Sequence, residues 1–238
     1  MIEVQNQLEI KPETGNSTKP LLPLVVGGLT ITCEDNMELM SRYPDNYFDL
    51  AIVDPPYGLG NKLAHSGNGK NAQSKFSEDF KNKNWDNKVP EKEYFDELFR
   101  VSKNQIIWGG NYFDLPPNRG FIIWDKMVFI PTMSRIEQAY NSIDCLPQLV
   151  QINNTDKNRI HLTQKPIALY EWLISKYAKN GDKILDTHLG SGSIAIAVDN
   201  MNKIEKMNIT LTACELDIDY YKNAIKRINQ STNWQSLF

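Results

Sequence analysis

Four neighbouring residues, Asp54, Pro55, Pro56 and Tyr57, close an apolar run that begins at Leu50. Proline has no N–H and a fixed φ, so two in succession present backbone carbonyls as a rigid array of acceptors. Asp54 adds a carboxylate acceptor and Tyr57 a flat face for stacking. Together they make a receptor for a planar group that carries an –NH₂. The plain alternative is a strand exit stiffened by proline.

A second group lies in "DTHLGSG", residues 186 to 192, between an apolar strand and a helical pattern. Gly190 and Gly192 let a ligand approach the backbone, Ser191 lies between them, and a helix N-terminus favours an anionic group. The spacing is neither G-x-G-x-x-G nor a phosphate loop. Glu215 ends the next strand, and a carboxylate there can accept both hydroxyls of a ribose, so the pair suits a nucleoside. A tight strand-to-helix turn is the alternative reading. Asp35, Asp54, Asp186 and Glu215 all stand at strand ends, and each taken singly is equally readable as a helix-cap acid.

These residues need a scaffold that brings strand ends together. "LTITCED" and "ITLTACELD" alternate and end in acids, while "FDLAIVD" is continuously apolar, as in a parallel sheet buried on both faces. "QIIWGG" and "GFIIWDK" read as two further strands. "PEKEYFDELFRVSK", "PIALYEWLISKYAKNG" and "IDYYKNAIKRI" have helical spacing, the second opening on Pro166 and stopping at Gly181. Strands alternating with helices predict an α/β, doubly wound, mostly parallel sheet, whose ligands bind beyond the carboxyl ends of the strands. Residues 1–27 read as a polar N-terminal arm and 28–238 as one domain. Residues 58–89 read as a long, mobile loop. From about 128 to 162 the pattern weakens into a small irregular insertion.

The net charge is −3 over 238 residues, so no global basic signal points to nucleic acid. Locally the sign reverses: residues 62–88 hold six lysines against three acids, an excess of +3. Lys62, Lys70, Lys75, Lys81 and Lys83 are candidates for phosphate contacts, with a solvated polar loop as the alternative. Cys33, Cys145 and Cys214 are scattered and odd in number, which argues against a zinc site or disulfide framework and fits a reducing cytoplasm. The apolar runs are too short for a transmembrane helix, and the N-terminus lacks the pattern of a signal peptide. No metal is expected.

"DPPY", "TQKP" and "DTHLGSG" together resemble the S-adenosylmethionine-dependent DNA amino-methyltransferases. The catalytic motif precedes the cofactor turn, as in the β-class arrangement. The resemblance covers roughly residues 28–228. It implies a Rossmann-like sheet of seven strands, circularly permuted so that the catalytic half comes before the cofactor half. It also implies that Asp186 and the turn Gly190-Ser191-Gly192 hold the methionine part of S-adenosylmethionine, that Glu215 binds the ribose and that Asp35 binds the adenine amino group. Thr163 and Lys165 would sit near the cofactor carboxylate. Where the family commonly has Pro-Phe after the acid, this chain has Thr187 and His188. His188 could pack flat against the cofactor.

The implied reaction is methyl transfer to an exocyclic amine. Hydrogen bonds from –NH₂ to Asp54 and to the Pro55 carbonyl would localise a lone pair otherwise spread into the ring. A duplex base must be flipped out, or single strands used, and Tyr57 would stack on it. Asp at the first motif position points to adenine N6, since Ser there more often signals cytosine N4. Cytosine N4, RNA amines and a non-catalytic DNA- or cofactor-binding subunit are the rival readings. The resemblance also implies a restriction-modification setting. The insertion near 128–162 would read the target, and its small size leaves room for a second protomer, a homodimer, to help.

Overall fold

Gly27 and Gly28 set one edge of the molecule. Both have positive φ, 56° and 85°, which is what a two-residue type I′ hairpin turn requires. The turn folds β1 (Leu24–Val26) back on β2 (Leu29–Thr32), pairing Val26 with Leu29. The expected polar arm therefore ends before residue 24. The computed structural model describes residues 21–60, 86, 88–129, 134–155, 159–161 and 163–232.

The remaining strands are β3 (Leu50–Val53), β4 (Gln105–Trp108), β5 (Phe121–Asp125), β6 (Ile136–Asn141), β7 (Gln148–Gln151), β8 (Lys183–Asp186) and β9 (Thr210–Cys214). They form one sheet in the order β1-β2-β9-β8-β3-β4-β6-β5-β7. The run from β2 through β9, β8 and β3 to β4 is parallel throughout. β6 is antiparallel to both of its neighbours, and β7 runs parallel to β5. The sheet is thus α/β and mostly parallel, but it has nine strands among the described residues, not seven. The stretch 128–162 is not irregular, because it supplies β6 and β7. Their pairing with β4 and β5 is non-local, which local periodicity does not report.

Helices cover both faces. α1 (Asn36–Ser41) and α2 (Lys92–Val101) pack on one face, and α3 (Ile167–Tyr177), α4 (Ser193–Ile204) and α5 (Ile218–Thr232) on the other. β3 shows why its sequence is unbroken apolar. Leu50 and Ile52 join the core under α3–α5, while Ala51 and Val53 join the core under α1 and α2. Successive side chains of a strand point to opposite faces, so a doubly covered strand has no polar position. No described helix is long and apolar enough to cross a membrane.

The strand order reverses between β3 and β8. From β3 the chain moves to β4 on one side, and from β8 it moves to β9 on the other. A crevice opens beyond the carboxyl ends of strands at such a switch point. Asp54 follows β3, Asp186 ends β8 and Glu215 follows β9, so three acids distant in sequence converge there.

Candidate active site

A cavity of about 480 Å³ opens at this switch point, a size typical of small-molecule sites. Asp54 and Pro56 line it together with Gly190, Ser191 and Glu215. Asp35, Thr163, Lys165 and His188 also line it, so residues predicted from three separate motifs share one space.

Several roles differ from expectation. Asp35 is the N-cap of α1: its Oδ1 accepts from the N–H groups of Met37 (2.7 Å) and Glu38 (3.3 Å). The helix-cap reading of this acid is therefore real, although Asp35 still borders the cavity. Asp186 is buried and is not among the residues lining the cavity; its Oδ1 accepts from the His188 N–H at 2.9 Å and shapes the turn. Burial pushes its carboxyl up to about 8. Gly192 is needed for packing. With φ at 72° it caps α4, and a Cβ there would meet Ile228 of α5 at 2.9 Å. Gly190 is different, since a Cβ would meet nothing nearer than 3.8 Å; its missing side chain leaves open space at the cavity.

Glu215 is tied to the turn. Its Oε2 accepts from the Gly190 N–H and its Oε1 from the Asp217 N–H, each at 2.9 Å. Burial raises its pKa, and these backbone bonds work against that rise. His188 is neutral at physiological pH because burial pushes its pKa down to about 4. Its Nε2 lies 3.2 Å from the Asn36 amide nitrogen and its Nδ1 lies 2.9 Å from Thr187 Oγ1. Tyr94 packs edge-on against its ring. Thr163 is held against His161, with Oγ1 at 3.1 Å from Nδ1, and His161 meets Tyr220 edge to face at the rim.

The proline motif is held by partners that its own sequence does not reveal. Tyr57 donates its hydroxyl to Asp54 Oδ1 at 2.6 Å. Burial, then the neighbouring Asp54 charge, drives the phenol far above its ordinary pKa, so it stays a donor. The Tyr57 ring lies behind Asp54 and stacks on Tyr112, with centroids 5.0 Å apart and planes 14° from parallel. Gly109 makes room for it: a Cβ there would stand 2.3 Å from the Tyr57 ring. Buried Asp86 gathers the chain that follows, accepting from the N–H groups of Tyr57 (2.7 Å), Gly58 (3.0 Å) and Leu59 (3.2 Å).

Lys165, expected near a cofactor carboxylate, is instead ion-paired with protein carboxylates. Its Nζ touches Asp54 Oδ2, sits 3.2 Å from Glu137 Oε2 and donates to the Tyr57 hydroxyl at 3.3 Å. Burial alone would lower the Lys165 pKa, but the charges of Asp54 and Glu137 outweigh it and the net shift is upward. Glu137, Lys126, Tyr112 and Asp86 were not legible as site residues. Glu137 reaches Asp54 only through the pairing of β6 with β4 and the packing of the 163–166 segment. Lys62, Lys70, Lys75, Lys81 and Lys83, and most of the loop 58–89, lie outside the described residues.

The cavity suits a cationic nucleoside. Its acids, among them Glu34, Asp35, Asp54 and Glu215, outnumber the single lysine on its wall. Gly190 leaves the turn open, and Asp54 lines the same space.

A family model described as "DNA methylase" matches residues 122–226. The chain is similar to the type II methyltransferase M.HpaI of Haemophilus parainfluenzae, 22% identical over 237 residues, covering 80% of this chain and 74% of that protein. Among solved structures, it is similar to the PvuII DNA methyltransferase described as cytosine-N4-specific. That likeness has a TM-score of 0.55 and 14% identity, covering 86% of this chain and 91% of the other. The M1.HpyAVI–SAM complex gives a TM-score of 0.54 and 17% identity, covering 84% of this chain and 99% of the other. At these identities the two structures bear on the fold.

Proposed function

We propose that this chain is an S-adenosylmethionine-dependent N6/N4 DNA methyltransferase, a reading supported by the family model and the relative it is similar to, and, more narrowly, that it methylates N6 of adenine in DNA. The observation that carries this is Asp54, which lines the same cavity as Gly190 and Glu215. An acid followed by two prolines at that wall matches the needs of an –NH₂ acceptor site. The likeness to a cytosine-N4-specific enzyme is one of fold and does not choose the base.

S-adenosylmethionine supplies an electrophilic methyl on a sulfonium; transfer forms an N–C bond, returns the C–S pair to sulfur and releases one proton from nitrogen. The residues of this chain act on the amine. Asp54 and the Pro55 carbonyl accept its two N–H bonds and draw the nitrogen toward tetrahedral geometry, which localises the lone pair. As positive charge develops, the carboxylate is already oriented by Lys165 and Tyr57, so little reorganisation is needed. The nitrogen's proton leaves to Asp54 or to solvent. On the cofactor side, Glu215 would accept the ribose hydroxyls, Gly190 and Ser191 would hold the methionine end, and neutral His188 would pack at the wall without adding charge.

The loop after Tyr57 and the strands of 128–162 are the segments we assign to DNA. Exposed Met127 and Phe129 at the end of β5 and the lysines of 62–83 would face it, with the target base extruded into the cavity. The test is methyl transfer by the pure protein to DNA, followed by nucleoside mass spectrometry. N6-methyladenine is the expected product. N4-methylcytosine would overturn the base assignment, and transfer to RNA alone would overturn the substrate.

A further inference from the structure

Asp54 does not stand alone behind its cavity wall. Four charged side chains form a row of alternating sign, Lys126–Glu137–Lys165–Asp54. Lys126 Nζ pairs with Glu137 Oε1 at 2.6 Å, Glu137 Oε2 with Lys165 Nζ at 3.2 Å, and Lys165 Nζ with Asp54. The row crosses the sheet from the end of β5, through β6, to the end of β3. The Lys165 side chain is only 3% exposed. Its Nζ is ion-paired with Asp54 and, at 3.2 Å, with Glu137 Oε2, and it donates to the Tyr57 hydroxyl at 3.3 Å, while Glu137 Oε2 has no hydrogen-bond partner of good geometry among the described residues.

We infer that Glu137 is a positioning residue for methyl transfer, acting on Asp54 through Lys165. The inference rests on the proposed role of Asp54 and adds two tasks for Glu137. The first is geometric. Lys165 is drawn from two sides by the charges of Asp54 and Glu137, and that balance fixes where the ammonium sits, where it donates to Tyr57 and hence which way the Asp54 carboxylate faces. The second is electrostatic. Asp54 must present negative potential to a nitrogen gaining positive charge. A lone buried ammonium beside it would cancel that potential, whereas with Glu137 the two acids balance Lys126 and Lys165. Without Glu137 the same cluster carries one net positive charge and opposes the transfer. Burial would raise the Glu137 pKa, but Lys165 and Lys126 outweigh it and hold the group below its ordinary value, so it is charged when the enzyme works.

Glu137→Gln preserves volume and removes the charge. In single-turnover transfer to DNA the rate constant should fall about 10²-fold, the scale of a misplaced reacting group. Affinity for S-adenosylmethionine, measured by calorimetry, should change by less than about threefold, because Glu137 is not in the cavity wall. In a Lys165→Met background the same substitution should add less than about a threefold loss, since residues acting as a unit are non-additive. A nitrogen-15 spectrum of the lysine ammonium groups gives a readout that needs no activity. The Lys165 signal, identified by its loss in Lys165→Met, should be slow to exchange in the wild type and broadened or shifted in Glu137→Gln. If the wild type transfers no methyl to DNA, the proposed function fails, and the spectrum still decides separately whether Glu137 holds Lys165. An unchanged Lys165 signal, a rate within threefold of wild type, or a full additional loss in the Lys165→Met background would each overturn it.

Discussion

Replacing Glu215 with alanine separates two roles that share one side chain. In the free protein its oxygens accept from the Gly190 and Asp217 N–H groups, each at 2.9 Å. Hydrogen bonds to a charged group are worth about 1.5–3 kcal/mol each. Water entering the cavity would restore part of the loss, and burying a carboxylate whose pKa is raised already carries a cost that the substitution removes. The net destabilisation should therefore be about 1–3 kcal/mol, a fall in Tm of roughly 2–12 °C for a chain of this size. Ligand binding adds a second loss. Two ribose hydroxyls deprived of a charged acceptor should weaken S-adenosylmethionine by about 2 kcal/mol, near 30-fold in Kd. Scanning calorimetry and titration calorimetry read the two effects separately. Glu215→Gln should fall between, because its amide keeps one acceptor oxygen for two N–H groups. A lowered Tm with unchanged affinity would show that Glu215 only clamps the turn, and the ribose assignment would be wrong.

Asp186→Asn tests the buried acid of the turn. A carboxyl raised to about 8 when folded, against roughly 4 unfolded, stabilises through its proton below the unfolded pKa, and that contribution is lost as pH rises toward 8. Between pH 5 and 8 the wild type should lose about 1.4 kcal/mol per pH unit relative to the variant; parallel profiles in denaturant titrations would refute this. Gly109→Ala should push Tyr57 off Asp54, because the new Cβ would stand 2.3 Å from the ring at a φ of 72°. Transfer should fall at least about tenfold with cofactor affinity preserved, and normal turnover would show that the Tyr57–Asp54 bond is dispensable.

What was readable in the sequence was local. The unbroken apolar run Leu50–Val53 reports a doubly covered strand by itself, and the residues that cap it announce their own chemistry. The order of motifs is likewise enough to place the catalytic strand before the cofactor turn. The hairpin at Gly27–Gly28 carried a readable signal, a glycine pair between apolar residues, that the polar-arm reading missed. β6 and β7 left little trace, because their stability comes from pairing with β4 and β5 and from cover by distant chain. The same holds for the site. Lys165 is 111 residues from Asp54, and no spacing rule links them; the fold alone brings Glu137 and Lys126 into the row. Gly192 shows the converse error: a glycine beside a predicted ligand site was needed by Ile228 on a neighbouring helix.

The most direct test of the whole account is Asp54→Ala compared with wild type in single-turnover transfer to DNA, with products identified as nucleosides and cofactor affinity measured on the same samples. The wild type should yield N6-methyladenine. The variant should bind S-adenosylmethionine normally and lose on the order of 10²–10³ in rate, the usual effect of removing one preorganised transition-state partner. Near-normal turnover by the variant would contradict the account.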